Sequence, residues 1–266
     1  MNLTDAQVEQ FHEEGWLFLP GLFSSEEIAV LNAEAQNIFK QNREEIWREK
    51  SGAPRTAFAP HLYNDAFAIL GRHPRMIAPI EQLFGEKVYM HQFKINAKAK
   101  FSGEVWQWHQ DFGSWHRDDG MPEPRAMNIS IFLDEVFPYN GALMLIPRSH
   151  TEGVIAAEHD KGTTSWPIWG LDEETVQRLY DQGGLVVPTG KAGGMLLFHG
   201  NLVHGSAGNI TPLPRKIVYL TLNAVSNYIR KPTRKEFIAH QDFTPITPCE
   251  DDALLNFARH YNQAAE

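Results

Sequence analysis

The chain of 266 residues is long enough for one large domain, and its 42% apolar and 21% charged residues are typical of a folded globular protein. Its net charge of −9 disfavours binding to nucleic acid or to an anionic membrane, because both need a basic surface. No apolar run approaches the roughly 18 residues that span a bilayer, and the polar N-terminus lacks a signal-peptide pattern. Together with a single cysteine, Cys249, these features favour a cytoplasmic protein.

The first third of the chain has the pattern of helices. Thr4 with Gln7 can form a capping box, and Ser24 or Ser25 before two glutamates is a typical helix start. Apolar residues then recur at helical spacing. We predict three helices in this part of the chain, at about residues 4–15, 24–50 and 74–84.

From Lys87 onward, short β segments follow one another at regular spacing, separated by turn signals such as Asn140-Gly141. Roughly eight such strands behind a helical layer favour a mostly β fold, a cupin-like jelly roll or double-stranded β-helix with flanking N-terminal α-helices. A stretch without strand character interrupts the series at residues 151–182. We predict that it is an insertion with one helix near residues 172–181 and that it forms part of a lid.

These elements predict a single domain over residues 1–266. Its parts would be a mainly helical flank, a jelly-roll core that contains the insertion, and a C-terminal segment, at residues 1–86, 87–227 and 228–266. We expect the protein to act as a monomer or a homodimer.

A histidine and an acidic residue two positions apart can bind one metal ion when both lie on the same face of a strand. Five such pairs occur, so the motif alone is weak evidence. Only His109 and Asp111 close a convincing alternating strand, EVWQWHQDF. The other pairs fall in a predicted helix, a polar loop, a strand end and the C-terminal segment: His12/Glu14, His116/Asp118, His150/Glu152 and His240/Asp242.

A second histidine would complete the facial triad of the non-haem iron oxygenases. The candidates are His199 and His204, both in the segment FHGNLVHGSAGN. Arg215 follows His204 by eleven residues, where it can pair with the distal carboxylate of 2-oxoglutarate. This spacing favours His204 only modestly, and a histidine bonded to the loop backbone and a surface arginine are the alternatives.

Longer stretches resemble the phytanoyl-CoA dioxygenase superfamily of Fe(II)/2-oxoglutarate oxygenases over nearly the whole chain. The opening LTDAQVEQFHEEGWLFLPGLFSSEEI is similar to the family's start, WHQDF carries the His-x-Asp pair, and NGALMLIPRSH and HGSAGNITPLPR resemble two later motifs. HQFKINAK and WHQDFGSWHRDDGMPEPRAMN are most similar to the branch of ectoine hydroxylases and a free-proline 4-hydroxylase. Gln110 and Trp106 depart from the ectoine hydroxylase pattern, so the resemblance does not identify ectoine as the substrate.

The resemblance also implies roles for individual residues. Fe(II) would be bound by His109, Asp111 and His204, and 2-oxoglutarate by Arg215, with Ser206, Asn96 and Trp106 beside it.

Contacts to the substrate are predicted from one strand and one loop. Gln92, Lys94, Asn96 and Lys98 share a strand face, which would be costly inside a barrel unless it met water or a ligand. Through the resemblance we assign Gln92 and Lys94 to the substrate, whereas we expect Lys98 to face solvent. In the predicted loop after the dyad, Trp115 and Asp118 are further candidates, although a solvated acidic loop is the alternative for Asp118. Trp108 is expected to pack in the core.

The predicted enzyme uses Fe(II), 2-oxoglutarate and O2 to hydroxylate an unactivated C–H bond, with succinate and CO2 as co-products. The preferred substrate is a small free metabolite, an amino acid or a cyclic amino-acid derivative similar to proline or ectoine. Because Asp111 is a carboxylate ligand, no position is left for chloride, which favours hydroxylation over halogenation. One alternative is the same chemistry on a larger natural product or an acyl-CoA. Another is a non-catalytic metal-binding jelly roll, which would have no need for Arg215.

Overall fold

The computed structural model describes residues 1–265. The capping signals at the start of the chain are realised: Thr4 and Gln7 form both bonds of a capping box before the first helix, and Ser24 and Glu27 do the same before the second. The helices are α1 (Asp5–Glu14), α2 (Ser25–Phe39), α3 (Asp65–Leu70), α4 (Pro74–Phe84), α5 (Asp111–Asp119), α6 (Glu173–Gly183) and α7 (Ala253–Ala265). Within residues 1–265, no helix combines the length and the apolar character needed to cross a membrane.

Twelve strands accompany these helices in the described residues. They are β1 (Trp16–Leu19), β2 (Ile46–Arg48), β3 (Pro54–Phe58), β4 (Val88–Lys98), β5 (Trp106–His109), β6 (Ala126–Phe132), β7 (Leu143–Leu145), β8 (Glu158–Asp160), β9 (Ile168–Gly170), β10 (Met195–His199), β11 (His204–Ser206) and β12 (Arg215–Ala224).

The strands form a large and a small antiparallel sheet and a separate two-stranded hairpin of β8 and β9. The large sheet has the order β1-β10-β6-β12-β4-β3-β2, and the small sheet has the order β5-β11-β7. One apolar core lies between the helices and the large sheet, with side chains such as Leu31 and Ile80 fully buried. A second core contains residues of both sheets, including Phe198 and Leu145. The model is therefore rich in sheet with helices packed outside, as the strand series predicted.

Two predictions about the first 86 residues need correction. The helix predicted over residues 24–50 ends at Phe39 instead, because the following residues turn back and β2 pairs with β3. Strands β1, β2 and β3 also join the large sheet, so this part of the chain is less purely helical than its pattern indicated. The helix at residues 74–84 and the helix inside the insertion are confirmed, the latter extended to Gly183.

Candidate metal centre

Three side chains meet where the small sheet ends. In the antiparallel pairing of β5 with β11, His204 lies directly opposite His109, and their ring centroids are 4.1 Å apart. The Asp111 carboxylate lies between them, with its oxygens 3.6 Å from His109 Nε2 and 3.5 Å from His204 Nε2. One ligand atom from each residue falls within a group no wider than 4.8 Å, a spacing suited to a single metal ion.

The backbone brings Asp111 into this group by a different route from the one predicted. The strand ends at His109, and Asp111 is the first residue of α5 with Gln110 as the N-cap. The alternation of a continuous strand is therefore the wrong reason for their proximity. A strand-to-helix turn directs both side chains to the same point. The Gln110 side chain secures that turn by donating to the carbonyl oxygens of Gly153 and Asn201 at 2.8 Å.

Hydrogen bonds behind the three residues fix the orientation of each. His109 Nδ1 lies 2.6 Å from the carbonyl oxygen of Gln107, and His204 Nδ1 lies 2.9 Å from that of Leu202. Since a carbonyl only accepts, each Nδ1 carries the proton and each Nε2 presents a lone pair to the centre. The Asn128 amide donates to Asp111 Oδ2 at 2.8 Å. Two imidazoles and one carboxylate in this state are the ligands that Fe(II) takes in a facial triad.

The charge states at neutral pH also suit a divalent cation. Burial alone would raise the pKa of Asp111, but the neighbouring His204, His109 and Lys94 together hold it well below its usual range. Burial, with a smaller contribution from His109, lowers the pKa of His204 to about 4. The centre therefore offers a carboxylate anion and a neutral His204 imidazole, so the residues present fit the predicted metal.

A cavity of about 470 Å³ opens beside this centre. All the other residues predicted for the site line it: Gln92, Lys94, Asn96, Trp106, Trp115, Asp118, Ser206 and Arg215. His199, the rejected alternative to His204, packs instead against His150, with ring centroids 5.2 Å apart. The structure thus brings the predicted set together around one cavity.

One end of the cavity is formed by Arg215 and Ser206. Arg215 is 1% exposed, and within the described residues its guanidinium has no carboxylate partner. Its Nε and the Ser206 hydroxyl are buried without a hydrogen-bond partner in the same residues, and only Tyr219 Oη lies 3.5 Å from the guanidinium. A buried cation and a buried hydroxyl are costly unless a ligand satisfies them, and an anion satisfies both.

Two more predicted residues lie along the same cavity. The side-chain carbonyl oxygen of Asn96 accepts a hydrogen bond from the Thr56 hydroxyl at 2.9 Å. This leaves the N–H groups of the Asn96 side-chain amide for a ligand. Trp106 pairs with Ser206 across the small sheet, and the Arg55 guanidinium lies 4.0 Å from its ring centroid.

The residues predicted to contact the substrate line the cavity, but their local structure differs from the prediction. Trp115 and Asp118 lie on helix α5 instead of in a loop, because Gly120 in the left-handed conformation ends the helix only after Asp119. The Lys94 ammonium lies 5.7 Å from the centroid of the Tyr219 ring. Burial lowers the pKa of Lys94, and the nearby Asp111 carboxylate opposes that shift. The Gln92 amide donates to the Ile238 carbonyl at 2.8 Å.

Two predictions outside the cavity have opposite outcomes. Trp108 packs against the apolar cluster of Ile146, Leu179 and Val203, as expected. Lys98, which was expected to face solvent, is only 1% exposed. That prediction is wrong because the segments around Gly103 and Gly141 pack against its stem, and its Nζ donates to the carbonyls of Glu104 and Ala207.

Sequence reasoning missed Arg234, which also lines the cavity. It comes from the C-terminal segment, whose backbone is bonded to the end of α5: Thr233 N–H donates to the Asp118 carbonyl at 3.0 Å. The Arg234 Nε donates to both carboxylate oxygens of the fully buried Asp119 at 3.0 and 3.1 Å. In the sequence, only the basic run RKPTRK draws attention to Arg234. No local pattern relates this run to Asp118 and Asp119, which lie more than a hundred positions earlier.

A hairpin of the insertion, residues 158–170, lies against the cavity, and we call it the 158–170 hairpin. Trp166 stacks on Trp47 with centroids 4.0 Å apart and an angle of 16°. The Ser165 N–H donates to Glu104 Oε2 at 2.8 Å, and Trp169 Nε1 donates to Asp118 Oδ2 at 3.2 Å. Three separate contacts therefore hold this hairpin beside the predicted substrate residues.

The chain is similar in sequence to known proteins over most of its length. The model of the phytanoyl-CoA dioxygenase family matches residues 11–217. An ectoine dioxygenase of Bordetella bronchiseptica is 36% identical, with 95% of this chain and 88% of that protein covered. An L-proline trans-4-hydroxylase of Streptomyces griseoviridis is 35% identical, with 95% of this chain and 98% of that protein covered.

Solved structures of EctD from S. alaskensis are similar in fold. The structure with bound Fe has a TM-score of 0.82 at 36% identity, and the structure with 2-oxoglutarate and 5-hydroxyectoine has a TM-score of 0.83 at 35% identity. Each comparison covers 93% of this chain and 87% of that chain. The similarity therefore extends over nearly all of both molecules.

Proposed function

Because the chain belongs to the phytanoyl-CoA dioxygenase family, we propose that it is an Fe(II)- and 2-oxoglutarate-dependent dioxygenase that hydroxylates a small free metabolite. The observation that carries this proposal is the triad of His109, Asp111 and His204, which borders the same cavity as the buried Arg215. When bound, Fe(II) would supply the oxidative decarboxylation of 2-oxoglutarate by O2 and the coupled hydroxylation of a substrate C–H bond. We further infer that the two sheets form a double-stranded β-helix within a single domain.

The residues of the chain would bind and orient the two organic reactants. His109, Asp111 and His204 hold the metal with their Nδ1 and carboxylate hydrogen bonds already in place, so little reorganisation accompanies binding. Arg215 would form a bidentate pair with the distal carboxylate of 2-oxoglutarate, and Ser206 would donate to the same group. Asn96 and Trp106 would complete this end of the cavity.

We propose a zwitterionic amino acid or a cyclic amino-acid derivative as the substrate. Lys94 and Arg234 offer positive charge to a carboxylate, while Asp118 offers negative charge to an amine. Trp115 supplies an aromatic wall, and the cavity of about 470 Å³ has room for such a molecule beside 2-oxoglutarate. The relatives named for ectoine and L-proline act on molecules of this class by their names.

The direct test is succinate release from 2-oxoglutarate over a panel of free amino acids and ectoine, with mass spectrometry of the organic product. We expect one or a few members to stimulate succinate formation and to gain one oxygen atom. If no small zwitterion stimulates turnover but a larger natural product or an acyl-CoA does, the proposed substrate class is wrong while the chemistry stands.

Lys94→Met is expected to raise the KM for the organic substrate by roughly 30-fold, with the KM for 2-oxoglutarate changed less than about twofold. Losing one partner of a buried charged pair costs about 2 kcal/mol, which corresponds to this factor. The measurement is steady-state kinetics with each reactant varied in turn. Lys87→Met, which removes an exposed lysine paired with Glu81 at 2.9 Å, is the control and should leave both constants unchanged.

Trp166→Ala is expected to raise the KM for the organic substrate about five- to tenfold, because it removes both the stack on Trp47 and an indole hydrogen bond to the Arg48 carbonyl. In our proposal the 158–170 hairpin is a lid that closes on bound substrate, so 2-oxoglutarate binding should not change. Trp166→Phe keeps an aromatic ring for the stack and should recover most of the loss. Equal kinetics for wild type and Trp166→Ala would argue against a lid.

A further inference from the structure

Lys98, the last residue of β4, is a buried lysine that the proposed chemistry does not use. It pairs with Arg215 in the register of β4 and β12. Its Nζ donates to two backbone carbonyls, that of Glu104 at 2.7 Å and that of Ala207 at 2.6 Å. Among residues 1–265 no carboxylate lies within ion-pair distance of this nitrogen. The side chain therefore serves two carbonyl groups in place of a salt bridge.

Both carbonyls belong to segments that carry predicted co-substrate contacts. Ala207 directly follows Ser206 at the end of β11. Glu104 lies two residues before Trp106, and its carboxylate accepts from Arg55 at 3.1 Å. The same Arg55 guanidinium covers the Trp106 ring. Lys98 thus connects the strand end that faces Arg215 with the segments that carry Ser206 and Trp106.

Neighbouring glycines leave space for the stem of this side chain. A Cβ at Gly141 would collide with Lys98 Cδ, and a Cβ at Gly103 would lie 2.9 Å from Lys98 Cβ. Gly141 also has a φ of +81°, which a larger residue would adopt only with strain. Close packing on two sides holds the stem in one path, so the position of Nζ is well determined.

The charge of Lys98 supports a role in positioning and not in binding the anion. Burial, followed by the nearby Arg215 and Arg55, lowers the pKa of Lys98 to about 6, and Glu49 and Glu104 oppose that shift. The group has N–H donors for both carbonyls whether or not it is protonated. Arg215 remains the cation available to the co-substrate.

We propose that Lys98 is a positioning residue for 2-oxoglutarate, which holds the Ser206 and Trp106 segments against the strand that pairs with Arg215. This inference rests on the proposed function, because it assigns the cavity end at Arg215 to 2-oxoglutarate. Removing the Nζ donors takes a hydrogen bond from each of the two carbonyls and frees both segments to move relative to Arg215. The substrate contacts Lys94 and Trp115 do not touch this connection.

The test is Lys98→Met, which keeps the length of the stem and removes the donors. We expect the dissociation constant of 2-oxoglutarate, titrated anaerobically with Fe(II) by its visible charge-transfer band, to rise about tenfold or more, as commonly follows the loss of a group behind a binding residue. The KM for the organic substrate should change less than about twofold. Lys216→Met is the matched control: Lys216 follows Arg215 on β12 and its ammonium binds Asp134 at 2.9 Å, so its removal should not affect 2-oxoglutarate.

An unchanged dissociation constant in folded Lys98→Met would overturn the inference, as would equal losses for both reactants, which indicate general damage. If Lys98→Met does not fold, Lys98→Gln keeps a donor for one carbonyl and should raise the constant about threefold; no increase there also overturns it. A wild-type protein with neither the band nor succinate formation would contradict the proposed function itself. A normal wild type with an unaffected Lys98 variant would contradict only the role of Lys98.

Discussion

Asp111→Ala is expected to reduce substrate-stimulated succinate formation by about 10³-fold or more. The substitution removes the one carboxylate of the triad, and with it several kcal/mol of metal binding and charge stabilisation. The imidazoles of His109 and His204 remain, but the negative charge that selects a divalent cation is lost. Iron content measured after anaerobic loading should fall together with activity.

The control for this variant is Asp242→Ala, since Asp242 belongs to another of the five His-x-Asp/Glu pairs. Its carboxylate accepts from the Thr244 N–H at 3.0 Å, away from the metal centre. Iron content and turnover should therefore equal those of wild type. Loss of activity in Asp242→Ala with full activity in Asp111→Ala would exchange the roles of the two pairs and contradict the iron assignment.

Arg215→Met is expected to raise the KM for 2-oxoglutarate by roughly 100-fold. A bidentate charged pair in a buried site is worth about 3 kcal/mol, and the nearby Arg55 and Arg234 are already paired with Glu104 and Asp119. The KM for the organic substrate should change little. The measurement is initial-rate kinetics with 2-oxoglutarate varied at saturating organic substrate.

Arg215→Lys separates charge from geometry in the same site. Lysine keeps the positive charge but cannot form the planar two-point contact, so we expect an intermediate increase, about tenfold. A 2-oxoglutarate KM that is unchanged in Arg215→Met would place the distal carboxylate elsewhere in the cavity. In that case Lys94 would be the next candidate, because it is the other predicted cation along the cavity wall.

The metal centre could be predicted from the sequence because its three residues belong to short, recognisable sequence motifs. His109 and Asp111 are neighbours in the chain, and their strand pattern identified the right pair among five. The stated geometry was nevertheless wrong, since the strand stops at His109 and Asp111 begins a helix. The polar run WHRDDG has the composition of a loop. In the structure most of it belongs to helix α5, which begins after its N-cap Gln110 and ends before its C-cap Gly120.

Long-range packing explains what the sequence did not reveal. Arg234 reaches the cavity because the C-terminal segment is hydrogen-bonded to the end of α5. Trp166 reaches it because its ring stacks on Trp47. Neither contact leaves a pattern in the residues around it. Lys98 was expected to face solvent, although the face of the strand it shares was identified correctly. The alternation of side chains along a strand shows which residues share a face, but not what packs over that face.

The most direct measurement of the central claim is the visible spectrum of the wild-type protein under anaerobic conditions, first with Fe(II) and then with 2-oxoglutarate. We predict a weak charge-transfer band that appears only with both, saturates at one equivalent of 2-oxoglutarate, and is absent in Asp111→Ala. A wild-type protein that binds Fe(II) but never forms the band would contradict the assignment of this cavity to an Fe(II)/2-oxoglutarate dioxygenase.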